Sequence, residues 1–203
     1  MTEGIFESPE KILAFYKERH PLIGGNNPAL LVIDAQRYFF DSSSKAFIKD
    51  SLIILPRIKA LIEFFHENNL LVFFTRHIDI PKSPMHKWWG NLMKEDDPLT
   101  ELIIEGKHVI KKNSYDAFYE TELEEKLWEF KVDQLYICGV QTHLCVSSTV
   151  RSAFIRGFGP VVVMDATASK YYQLHISSLM SLAHGFAILA SVEEVKRCLS
   201  MLR

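Results

Sequence analysis

Cysteine is scarce in this chain. Three residues in 203, Cys138, Cys145 and Cys198, form an odd set without metal-ligand spacing. That excludes a disulfide framework and reads as free thiols in a reducing compartment. Net charge is nearly absent as well: 23 basic against 25 acidic side chains leave a formal charge of −2. No electrostatic footprint for nucleic acid or an anionic membrane results. No apolar run approaches the length that spans a bilayer, and the acidic start Met1 to Glu7 lacks the basic and apolar segments of a signal peptide. A cytoplasmic setting is expected, with a small molecule rather than nucleic acid or membrane as partner. No Gly-X-Gly-X-X-Gly follows the first apolar run and no phosphate-loop glycine-lysine motif occurs, which argues against a dinucleotide site. Repeats, low-complexity tracts and flexible linkers are missing too, so residues 1–203 read as one domain.

What is present is an alternation of short apolar runs and amphipathic stretches. Strands are expected at about 29–34, 70–75, 108–111, 134–139, 160–164 and 186–190. Their uninterrupted apolar character suits strands covered on both faces. Helices are expected at 51–69, 120–130, 147–155 and 173–184, and after the capping box that opens at Ser191. Strand alternating with helix predicts a three-layer αβα fold, a six-stranded parallel sheet with helices on both faces. Residues 1–27 form an N-terminal helical extension, with Ser8 as cap and Pro9 at the first helical position. It has two equally open places to pack, a neighbouring subunit or its own domain. Residues 77–107, rich in proline and tryptophan, are irregular and read as a lid.

Three chemistry-bearing residues end strand-like runs. Asp34 closes the first, Lys112 the third, and Cys145 follows the fourth at the start of a helix, in Gly139-Val140-Gln141-Thr142-His143-Leu144-Cys145. Carboxyl ends of parallel strands converge on one crevice. A helix start and a neighbouring ammonium both favour thiolate, so a lowered pKa is expected for Cys145. The plain alternatives are a buried inert thiol, an aspartate capping a turn, and a solvated lysine. Cys138 and Cys198 read as core residues. Lys111 competes with Lys112, and strand alternation sends the two to opposite faces.

Taken together, Ala29-Leu30-Leu31-Val32-Ile33-Asp34-Ala35-Gln36, Lys112-Asn113-Ser114-Tyr115-Asp116-Ala117-Phe118, the segment from Gly139 to Val146, and Asp165-Ala166 resemble the motifs of the isochorismatase-like cysteine hydrolases. That family includes nicotinamidases, N-carbamoylsarcosine amidase and ureidoacrylate amidohydrolase. The resemblance runs from about residue 28 to the C-terminus and selects Lys112 over Lys111 by its spacing to Tyr115 and Phe118. It implies an Asp34–Lys112–Cys145 triad, a homodimer or homotetramer, and a cis peptide at Val140-Gln141. It also implies an oxyanion hole made by the backbone N–H groups of Gln141 and Cys145. The implied chemistry is thiolate attack on a small amide, ureido or carbamoyl substrate, loss of amine, and hydrolysis of a thioester.

Around this centre Phe39, His77, Trp88, Trp89, Tyr115 and Thr142 are candidate substrate contacts, each of which also reads as ordinary packing. Arg76 and Lys87 are candidate binders of a substrate carboxylate, or solvated charges. His143 is placed at the pocket rim. Nicotinamidases carry Asp-X-His after the second strand. Here Thr75 stands at the aspartate position before Arg76 and His77, and Asp79 and His86 lie nearby. Loss of that anionic ligand argues against a metal, so no metal and no cofactor are expected. Two other functions stay in view: an isochorismatase-type vinyl ether hydrolase, against which Cys145 argues, and a catalytically idle binding or assembly protein.

Overall fold

The computed structural model describes residues 8–90 and 93–201. The first residues of the N-terminal extension, two residues of the lid and the last two of the chain lie outside the described residues. The elements in chain order are α1 (Pro9–Arg19), β1 (Pro28–Ile33), α2 (Arg37–Phe40), α3 (Ser51–Glu67), β2 (Leu71–His77), α4 (Pro84–Trp89), β3 (His108–Lys112), α5 (Leu123–Glu129), β4 (Gln134–Val140), α6 (Ser147–Ile155), β5 (Gly159–Ala168), α7 (Tyr172–Gly185), β6 (Ile188–Ala190) and α8 (Val192–Ser200).

All six strands run parallel, in the order β3-β2-β1-β4-β5-β6. Parallel neighbours need crossovers, and helices supply them on both faces. Alternate residues of β1 therefore enter two different cores. Leu30 and Val32 pack with Ile54, Ile58 and Val195, whereas Leu31 and Ile33 pack with Val150, Leu179 and Leu182. Every residue of β1 is buried, which is why its sequence shows no polar alternation.

The chain reverses its winding between β1 and β4. At that point the crossovers diverge and leave a crevice beyond the carboxyl ends of the strands. β4 approaches β1 closely there. Gly139 has φ +106°, and a Cβ on it would lie 2.1 Å from the Ile33 carbonyl oxygen. A cis peptide joins Val140 to Gln141.

Some boundaries move. β5 continues to Ala168, so Asp165 sits inside the strand rather than at its end. The register shifts between Ile137 and Gly139 of β4 to accommodate the longer strand. The Asp165 carboxylate accepts from the Val192 N–H at 2.9 Å and holds the start of α8. The lid contains α4, capped by Ser83, and one 3₁₀ turn at Pro98–Thr100 capped by Asp97. Helix α1 packs on its own chain: Tyr16 stacks edge-on against His184 of α7, and Lys17 pairs with Glu194 of α8 at 2.9 Å. No helix among the described residues is long and apolar enough to cross a membrane.

Candidate active site

Asp34 follows β1 in a left-handed conformation, φ +47°. Aspartate tolerates that region better than bulky or branched residues do. The tight turn is closed by the Gln36 N–H donating to the Asp34 carbonyl at 2.7 Å. This turn aims the carboxylate across the sheet edge toward β2. There Thr75 accepts from the Asp34 N–H at 3.0 Å and donates its hydroxyl to Oδ1 at 2.6 Å. Both groups are fully buried.

Lys112 ends β3, at the edge of the sheet, and its side chain crosses the end of β2 to reach Asp34. Its Nζ lies 2.8 Å from Asp34 Oδ2 and 3.4 Å from Cys145 Sγ. It also donates to the Ser114 carbonyl at 2.9 Å and faces His77 Nδ1 at 3.5 Å. An ammonium stripped of water needs such a shell. Burial would lower its pKa, but Asp34 and then Cys145 carry it above the ordinary lysine value. The same burial, with Lys112 adding to it, lowers the His77 imidazole to about 4. His77 is held by the side chain of Gln36, whose Oε1 accepts from the His77 N–H at 2.8 Å and whose Nε2 donates to the His77 carbonyl at 2.9 Å.

Cys145 lies in a π-helical turn, Thr142–Val146, that runs directly into α6. Such turns recur at functional sites because they displace one side chain from the regular helical path. Two histidine contacts tie this turn to its surroundings, Thr142 Oγ1 to His175 Nδ1 at 2.8 Å and His143 Nδ1 to Ser169 Oγ at 3.0 Å. The expected lowering of the Cys145 pKa is corrected. Burial pushes the thiol up, the Asp34 carboxylate adds to that, and Lys112 opposes it only in part. The resting trio is thus a thiol beside an aspartate–lysine ion pair.

Asp34 and Cys145 form the floor of a cavity of about 540 Å³, within the range that holds drug-sized ligands. Phe39, His77, Trp89 and Tyr115 line it, as does His143. Trp89 of α4 donates its indole N–H to the Tyr115 hydroxyl at 2.7 Å, joining lid to lysine loop. Two expected contacts are placed elsewhere. Trp88 turns outward, 78% exposed, because neighbouring residues on α4 face different ways, and Thr142 is fully buried under the turn, engaged with His175.

Arg76 is occupied by Glu101 at 2.9 Å and by the Glu95 and Thr100 carbonyls. Neither it nor Lys87 lines the cavity, whereas Lys45, Asp79, Met85, Met93 and Lys170 do. Sequence reasoning missed Thr75, noted only as a lost metal ligand, and Gln36. Thr75 is a polar residue near the carboxyl end of β2 and Gln36 one just beyond β1, which is a usable signal.

The donor set for a nicotinamidase-type metal does not fit. Thr75 is neutral and committed to Asp34, and Asp79 is turned to His86 Nδ1 at 2.8 Å. No group of three His, Cys, Asp or Glu among the described residues could hold an ion.

A model of the isochorismatase domain matches residues 28–194. Nicotinamidase 3 of Arabidopsis thaliana is 36% identical over 184 residues, covering 84% of this chain and 88% of the relative. Among solved structures, a cysteine hydrolase from Pseudomonas syringae pv. phaseolicola 1448A superposes with a TM-score of 0.83 at 22% identity, covering 91% of this chain and 99% of the other. N-carbamoylsarcosine amidase from Thermoplasma acidophilum superposes with a TM-score of 0.74 at 23% identity, covering 82% and 97%. The chain is therefore a member of the isochorismatase family.

Proposed function

We propose that the protein is a cysteine amidohydrolase that cleaves a carbon–nitrogen bond of a small amide, ureido or carbamoyl compound. One observation carries this reading: Lys112 Nζ, fully buried, bridges Asp34 and Cys145 at 2.8 and 3.4 Å, and those two residues line a mostly apolar cavity. Moving the thiol proton to Asp34 converts an aspartate–lysine pair into a thiolate–lysine pair. Net charge in the buried trio stays at zero, so the step avoids the large cost of creating a lone buried ion. Lys112 stays charged throughout and is the counter-ion in both states.

The thiolate then attacks the carbonyl carbon. The oxyanion forms toward the backbone N–H groups of Gln141, the N-cap of the π-helical turn, and Cys145, its fourth residue, both of which line the cavity. Collapse expels the amine, which takes the proton held by Asp34. A thioester on Cys145 remains. Water, deprotonated by Asp34, attacks it and releases the acid.

The test is ammonia release from a panel of primary amides, carbamoyl amines and ureides. The wild-type protein turns over at least one class, and Cys145→Ala loses at least about 10³-fold of that rate. Retained activity in Cys145→Ala would remove the nucleophile. Turnover of isochorismate by that variant would instead support the vinyl ether reading.

A further inference from the structure

The cavity carries positive charge that the hydrolytic step does not use. Two carboxylates line it: Asp34 is paired with the Lys112 ammonium, and Asp79 is hydrogen-bonded to His86 and Ser83. Two lysines line it as well, Lys45 from the loop between α2 and α3 and Lys170 from the loop between β5 and α7. Among the described residues neither makes an ion pair. Both side chains belong to exposed residues at the mouth, whereas the reacting atoms sit at the buried floor. Apolar lining comes from Tyr38, Phe39, Met85, Trp89 and Leu174. With Asp34 paired to Lys112, the two lysines outnumber the one remaining carboxylate, and a cleft with low-dielectric walls and an excess of one sign concentrates ligands of the opposite sign.

We infer that the substrate is an amide carrying a second, anionic group, and that Lys45 and Lys170 bind that group while the apolar wall holds the segment between. This specifies the ligand of the proposed amidohydrolase site and rests on that reading for the identity of the reacting end. The size of the cavity agrees, since about 540 Å³ exceeds what a bare carboxamide needs. Lys170 is also tied to the reacting end, because its backbone N–H donates to the Gln141 side chain at 3.2 Å. Anion capture at the mouth and the oxyanion position thus share one loop contact. Arg76 and Lys87, the cations first expected in this role, do not line the cavity; Lys45 and Lys170 do.

The test uses two ligands of equal shape, 4-(carbamoylmethyl)benzoate and its neutral nitro counterpart, 4-nitrophenylacetamide, together with the same pair on a propyl tether. Binding to the Cys145→Ala protein is measured by calorimetry at low and high salt, and ammonia release by the wild-type protein is measured separately. The carboxylate of at least one pair binds about tenfold more tightly than its nitro counterpart at low salt, and less so at high salt. Adding Lys45→Met and Lys170→Met brings the two to within about twofold and leaves the nitro compound's affinity in place. Equal affinities in the starting protein, a preference that survives both lysine substitutions, or no binding of either pair overturns the inference. Selective binding of the carboxylate without any ammonia release would keep the anion site and remove the amide chemistry instead.

Discussion

Thr75 does the work at this centre that its position did not advertise. A single hydroxyl accepts from the Asp34 backbone and donates to the Asp34 carboxylate, so it fixes both the turn and the side chain of the proposed base. Thr75→Val keeps the shape and leaves two buried polar groups without a partner. Stability falls by about 1–3 kcal/mol in a urea titration, and kcat falls by about 10–100-fold with a smaller change in KM. Equal kcat in the valine variant would mean that Asp34 needs no such restraint.

His77 makes a second residue-scale prediction. Its imidazole is held at about 4 by burial and by Lys112, whereas in the unfolded chain it titrates near ~6.5. Between those values the unfolded state binds more protons. Stability therefore falls as pH drops from about 6.5 toward 4, by as much as about 3 kcal/mol from this group, and no further below that range. Denaturation of the wild-type protein and of His77→Gln at about pH 7 and about pH 4.5 separates the contribution: the variant shows the shallower loss. Identical losses would place the acid sensitivity elsewhere.

At the scale of elements, a hydrogen bond from Trp89 to Tyr115 joins the helix of the lid to the lysine loop. Tyr115→Phe removes it without changing the packing of the ring. A net hydrogen bond is worth about 1 kcal/mol, so KM rises by about fivefold while kcat changes by less than about twofold. A kcat effect instead would put the Tyr115 hydroxyl in the chemistry. The legibility of the elements follows their physics. Strands β1 and β4 were readable because both their faces are covered, which forces apolar runs. The helix after Cys145 was readable because Gly157, at φ +86°, ends it. The end of β5 was not, since Asp165 has the polarity of a terminus but spends it on the start of α8. Nor was the lid. Its shape comes from distant contacts such as Asp79 N–H to the Met93 carbonyl at 3.0 Å, and no local periodicity records those. The three residues of the centre were legible because a parallel sheet sends strand ends to one edge. The outward turn of Trp88 and the burial of Thr142 depend on orientation within a short helix and a π-turn, which spacing does not encode.

For the molecule as a whole, the strand order places the winding reversal between β1 and β4, and the cavity opens at that edge of the sheet. The chain's net charge of −2 is nearly neutral, yet that cavity is lined by two lysines, Lys45 and Lys170, that make no ion pair among the described residues. The thiol and carboxylate at the floor, with the buried ammonium against them, have a summed charge unchanged by the proton transfer that starts the proposed reaction. Burial that would disable a lone cysteine is therefore compatible with a nucleophile here. The acyl group on sulfur is the most direct mark of this chemistry. Wild-type protein is mixed with a primary amide that it turns over, quenched in acid during the steady state, and the peptide containing Cys145 is weighed by mass spectrometry. A peptide heavier by the acyl group, absent from Cys145→Ala, is the expected result. Steady turnover with no acyl mass on that peptide, and undiminished in Cys145→Ala, would contradict it.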